Sequence, residues 1–130
     1  MQFLVREDEC IHTKDYLSYA ADNRYCAYGN FLDFFNMADN QVRQTVISDR
    51  PKDDDIFPID AAIISAVVEV LVKKHNLKMP EWVKDRKYIL SVPFYNGVTN
   101  KDYQALLKET ALPEFAKRNL FLGNDCMSRA

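Results

Sequence analysis

A chain of 130 residues, 48% of them hydrophobic, fits a single domain (1–130) that can bury a core without disulfide or metal staples. Its formal charge of −2 excludes the strongly basic balance that phosphate-backbone binding needs, so nucleic acid is a disfavoured partner unless a local basic face exists. Three scattered cysteines, Cys10, Cys26 and Cys126, make no disulfide framework and fit a reducing, cytoplasmic setting.

The opening MQFLVREDEC lacks a basic start followed by an apolar run, so no secretory signal is expected. Thr13 is placed to cap a helix over about 13–27, with Asp15 in its first turn and Tyr16, Leu17, Ala20, Ala21 and Ala27 on its apolar side. After Gly29, Asn30 can cap a second segment, 31–38, dense in phenylalanine. Asp39 or Asn40 restarts the chain into 41–48, and Arg50-Pro51 ends that stretch, because a residue before proline is biased away from helical geometry. The polar run 51–57 reads as a flexible surface loop.

Residues 58–76, PIDAAIISAVVEVLVKKHN, are apolar on nearly every side and read as a buried central helix. Pro58 is tolerated in a first turn, and Ser65, Glu69 and Lys73 form a narrow polar stripe in which the last two are spaced for an ion pair. The many β-branched residues favour a strand, but 19 consecutive residues far exceed the usual strand length of about 5 to 6. The run is also too short and too often interrupted by acids to cross a bilayer.

A short turn over 81–85 presents Trp82. Residues 87–95 then run extended, with Pro93 confining them to an edge or a wrap over the helices. Thr99 and Asp102 suggest a capping box for a helix over 101–110, in which Tyr103, Leu106 and Leu107 make an apolar stripe. Pro113 opens a short helix through Asn119, and Gly123-Asn124 break before a last turn reaching Arg129. The expected fold is therefore mainly α, a helical bundle around 58–76 with at most a minor extended or β segment near 87–95.

Reactive constellations are sparse. Asp53, Asp54 and Asp55 can offer hard oxygen ligands to a divalent cation, yet they lack the alternation and terminal glutamate of a calcium-binding loop and read first as a solvated loop before a helix dipole. Cys10 and His12 lie close enough to raise a thiol–imidazole pair, against the simpler reading of the cysteines as small buried residues. His75 reads as a dipole partner at a helix end. A helix-turn-helix can be drawn over 31–47 with Gln41, Arg43 and Gln44 facing a groove, against the reading of a scaffold pair. No cofactor and no metal centre is expected.

Tyr16, Tyr19, Tyr25 and Tyr28, followed by Phe31, Phe34 and Phe35, suit both the rim of a core and a partner surface, since a tyrosine ring is apolar and its hydroxyl wet. In the last third, Trp82, Pro93, Phe94, Pro113, Phe115, Arg118, Asn119, Phe121, Leu122, Ser128, Arg129 and Ala130 compose a pattern of tryptophan, aromatic-proline segment and closing PxFxxRNxFL and SRA phrases. Over about 80–130 this resembles the carboxy-terminal part of certain small bacterial proteins, some of which look like antitoxin-type companions of nucleotidyltransferase-like toxins. That resemblance implies a non-catalytic, partner-binding role and supplies no catalytic residue. Longer relatives carry a separate DNA-binding domain ahead of this region, for which the chain shows no clear equivalent. Tyr16, Tyr19, Trp82, Arg118 and Arg129 are the candidate partner contacts, with a small metal-dependent or thiol enzyme, and less so a DNA-binding regulator, as the alternatives.

Overall fold

The computed structural model describes residues 4–123 and 125–127. It is mainly helical: α1 Tyr16–Asp22, α2 Arg24–Asn36, α3 Asn40–Val46, α4 Pro58–His75, α5 Lys101–Thr110 and α6 Pro113–Ala116, joined by 3₁₀ turns at Glu7–Glu9, Thr13–Asp15, Glu81–Lys84 and Arg86–Tyr88. The bundle expected from the sequence is present.

α4 is its axis. Every residue from Asp60 to Glu69 is buried, so no face is left to solvent over those turns. Each large aliphatic there, such as Ile63, Ile64, Val67 and Leu71, contributes roughly 1.5 to 3 kcal/mol. Pro58 opens the helix, Lys73 and Lys74 complement its C-terminal dipole, and left-handed Asn76 (φ 55°) stops it. The Leu77 N–H then returns 2.9 Å to the Val72 carbonyl. α1, α6 and the two 3₁₀ turns at 81–84 and 86–88 pack against this axis, and α1 also packs on α2.

The aminoterminal half departs from the expected boundaries. Helix 13–27 breaks at Asn23, whose side chain accepts the Cys26 N–H at 3.0 Å and caps α2. α2 consequently runs straight through Gly29 and Asn30, where a break was expected, because buried Gly29 lies within one continuous turn pattern. Thr13 is not a cap: its buried hydroxyl reaches the carbonyls of Val46 at 3.1 Å and Asp49 at 2.7 Å, tying the first segment to the end of α3. Asp39 does cap α3, accepting the Val42 N–H at 2.9 Å.

Loop 51–57 is pinned instead of loose. Pro51 and Asp54 are buried, the Lys52 N–H bonds the Lys14 carbonyl at 3.0 Å, and Asp53 adopts φ 62° while its carbonyl accepts the Ile56 N–H at 3.0 Å. Asn100, rather than Thr99, caps α5 through the Tyr103 N–H at 2.9 Å.

The expected extended wrap begins only at Ile89, because Lys87 and Tyr88 belong to the 3₁₀ turn Arg86–Tyr88, and it forms a β-bridge rather than a strand: Phe94 pairs in parallel with Leu120. Phe94 donates to Asn119 at 2.8 Å and Phe121 donates back to Phe94 at 2.9 Å, while Asn119 Nδ2 holds the Leu90 carbonyl at 2.6 Å. Between the wrap and α5 the chain reverses at Asn96-Gly97, both at positive φ (52° and 84°), the geometry of a tight two-residue turn that glycine enters without strain.

Candidate functional site

Of the five sequence-predicted contact residues, the four that are described do not gather on one surface. Tyr16 is fully buried against Phe31, ring centroids 5.8 Å apart. Trp82 is buried and donates its Nε1–H to the Ile47 carbonyl at 2.9 Å. Arg118, only 3% exposed, sits beside Glu69 of α4. These three are spent inside the fold and are unavailable to a partner in this conformation. Tyr19 stands on the surface, and Arg129 lies outside the described residues.

The buried polar residues explain why. Arg118 Nη1 lies 2.8 Å from Glu69 Oε1 as an ion contact, while its other nitrogen donates to the Val83 carbonyl at 3.0 Å and Nη1 also reaches the Glu114 carbonyl at 2.7 Å. Lys117 donates to Glu69 Oε2, and the expected Glu69–Lys73 pair forms at 3.3 Å. Burial pushes the Glu69 carboxyl upward, but the bonds from Lys117 and Arg118 outweigh it and hold the group below its ordinary range. The network clamps the carboxy-terminal segment onto α4.

A second network absorbs the acidic run. Asp54 accepts the Tyr88 hydroxyl at 2.8 Å and Lys87 Nζ at 3.0 Å, and Arg50 bridges Tyr88 (3.2 Å) to Asp85 (2.7 Å). Asp55 is an exposed partner of Lys87 at 3.1 Å. Asp54 is thus a structural anchor, contrary to the solvated-loop expectation. No group of three or more His, Cys, Asp or Glu side chains arranged to hold an ion occurs among the described residues.

The remaining chemical candidates are also engaged. Cys10 Sγ points at the carbonyls of Arg6 (3.5 Å) and Phe34 (4.0 Å), whereas His12 Nε2 meets the Glu7 carbonyl at 3.2 Å, so the imidazole does not serve the thiol. Burial, then the charges of Glu9, Glu7 and Asp8, push the Cys10 thiol up, away from a nucleophilic thiolate. Cys26 is exposed rather than buried. Arg43 caps α2 through the Phe35 and Asn36 carbonyls at 2.9 and 2.8 Å, and Gln44 clamps Lys78 from both its amide atoms. Two of the three drawn groove readers therefore serve the scaffold.

His75 also differs from its expected role. Arg43, which can only donate, lies 3.2 Å from Nδ1 and so leaves the ring proton on Nε2, which is buried without a partner. Burial, then the charges of Arg43 and Lys74, hold the imidazole below its ordinary range and neutral, so it adds no cation to the helix end.

Two surface features bear most on binding. A half-open, mostly apolar pocket of about 160 Å³ lies between α2, the first turns of α4, the Asn96 turn, Leu122 and Cys126. Arg24 on its wall is paired with Asp60 at 2.6 Å.

α5 is the other. Of its ten residues only Leu107 is buried, while Tyr103 and Leu106, three apart and hence on one face, are 51% and 50% exposed. Asp102 and Glu109, four before and three after Leu106, place carboxylates beside that apolar strip. The sequence carried this signal as the stripe Tyr103, Leu106 and Leu107, which reads equally as a core-facing side. No helix among the described residues is long and apolar enough to cross a membrane. No family model, curated protein or solved structure matches the chain.

Proposed function

We propose that the protein is a non-catalytic protein-interaction module whose partner docks on the outer face of α5. The observation that carries this reading is the exposed Tyr103–Leu106 strip on a regular, capped helix. Aromatic and aliphatic anchors of this kind dominate binding energy when a partner desolvates them. The flanking carboxylates of Asp102 and Glu109 select a partner that offers an apolar helical stripe bordered by lysine or arginine. Paired with a second copy in antiparallel register, the same flanks would oppose like charges, so a different protein fits better.

α5 belongs to the 80–130 segment that resembles antitoxin-type companions, which makes a toxin encoded nearby the first partner to try. The characteristic residues of that resemblance, Trp82, Phe115 and Arg118, are occupied inside the fold, so support for a toxin partner rests on the segment's resemblance and on α5 alone. Affinity capture of the tagged protein from its own organism, with Tyr103→Ser/Leu106→Ser in parallel, tests the reading. One stoichiometric protein held by the wild type and lost from the equally stable double variant is the expected result. Equal retention by both would remove α5 as the contact.

A further inference from the structure

We propose that the pocket between α2 and the carboxy-terminal segment is a binding site for a small, uncharged molecule built on one aromatic ring that carries a hydrogen-bond acceptor. The inference does not depend on α5 or on any partner.

Size gives the first constraint. At about 160 Å³ the pocket matches the roughly 150 Å³ apolar cavity that holds one benzene ring, so a single ring fills it and anything larger projects through its open side. Its walls give the second. Ile63 and Leu122 supply aliphatic surface, and the rings of Tyr28 and Phe94 supply faces and edges for an aromatic guest. Tyr28 is fixed there by its hydroxyl bond to the Cys126 carbonyl at 2.6 Å. Tyr25, 75% exposed, stands at the mouth.

Arg24 sets the polar end. Its guanidinium lies over the Phe94 ring at 5.7 Å, and Nε and Nη2 are committed to Asp60 at 2.6 and 3.3 Å. Nη1 has no partner among the described residues and can donate to a carbonyl or ether oxygen on the guest. Asp60 already balances the Arg24 charge, and burial pushes the Cys126 thiol up to about 11, which keeps that wall neutral. A charged guest would lose its hydration and meet no net opposite charge, so a neutral molecule is selected.

Benzamide, a single uncharged ring with a carbonyl, is the probe. Titration of methyl-labelled protein should move the Ile63 and Leu122 methyl resonances saturably, with a dissociation constant on the order of 1 mM or tighter. Cyclohexanecarboxamide, similar in size but without a π face, should bind at least about fivefold more weakly, and benzylammonium should leave the resonances unmoved. Leu122→Trp, filling the cavity, should abolish the response while retaining a native spectrum. If that variant does not fold, Cys126→Phe on the same wall takes its place. Absence of saturable shifts up to about 10 mM, an equal response to cyclohexanecarboxamide, or undiminished binding in the folded filled variant would each overturn the site.

Discussion

Arg118 shows how a residue with the look of an interaction hot spot becomes a core element. Its guanidinium, buried with Glu69 and bonded to two carbonyls, joins α6 and the 81–84 turn to α4. Arg118→Met leaves Glu69 Oε2 paired with Lys117 and Lys73 but removes the ion contact at Oε1 and the donor of two carbonyls, so it should destabilise by about 2 to 3 kcal/mol, while Arg118→Met/Glu69→Leu should recover the ion-pair share of that loss. Urea unfolding of the two variants checks it. Recovery absent from the double variant would mean that the carbonyl bonds, and not the ion pair, hold the segment. His75 is the second informative residue. Its folded pKa lies below the 6.5 of the free group, so the folded state binds fewer protons. Its contribution is full above about pH 6.5 and is lost as pH falls through that value toward the folded pKa. Thermal melts should therefore decline more between about pH 7.5 and 5.5 for the wild type than for His75→Gln, and parallel declines would discard the effect.

At the scale of elements, α4 was legible because its evidence is redundant: length, near-continuous apolarity, a proline start and a basic end all agree. Ile64, fully buried at its centre, can accept no charge without breaking the surrounding packing. Ile64→Asp should abolish the cooperative melt, and a near-native transition would contradict the buried-axis architecture. The helix boundaries before α4 were harder to read. Asn23 and Asn30 are both competent caps, and the choice between them depends on how Ala27, Phe31 and Phe35 meet the core as one face. A capping side chain contributes about 0.5 to 2 kcal/mol, less than a single buried phenylalanine, so packing decides which cap is used. Asn23→Ala should lower stability by about 1 kcal/mol, whereas Asn30→Ala, within the exposed face of α2, should be near neutral; the reverse order would restore the expected break.

For the whole molecule, one continuous cluster of buried side chains runs from Tyr16 through the α4 aliphatics to Trp82, Tyr88, Phe115 and Leu120. Such a cluster predicts one cooperative unit. Far-ultraviolet circular dichroism and Trp82 fluorescence should follow a single coincident urea transition, and separated midpoints would reveal independently melting parts. The carboxy-terminal segment closes this unit by wrapping 118–121 along 90–94, which places Leu122 and Cys126 against α2 and creates the aromatic pocket. Arg24, Tyr25 and Tyr28 share α2, but Ile63, Phe94 and Leu122 reach the pocket from distant segments, so only its tyrosine wall had a local signature.

The sequence by itself determined the helical class, the buried central helix and the extended wrap after Trp82. Each rests on periodicity, length or proline placement, properties that a short window of chain already contains. Only the tertiary structure decided which polar and aromatic residues face solvent. Tyr16, Trp82 and Arg118 went inside because carbonyls and a carboxylate from distant segments meet their polar groups or because neighbouring rings enclose them, whereas Tyr103 and Leu106 remained outside because, among the described residues, no other element packs over α5's outer face. Composition cannot separate those outcomes, since an amphipathic stripe has the same pattern whether the surface that covers it belongs to its own chain or to a partner.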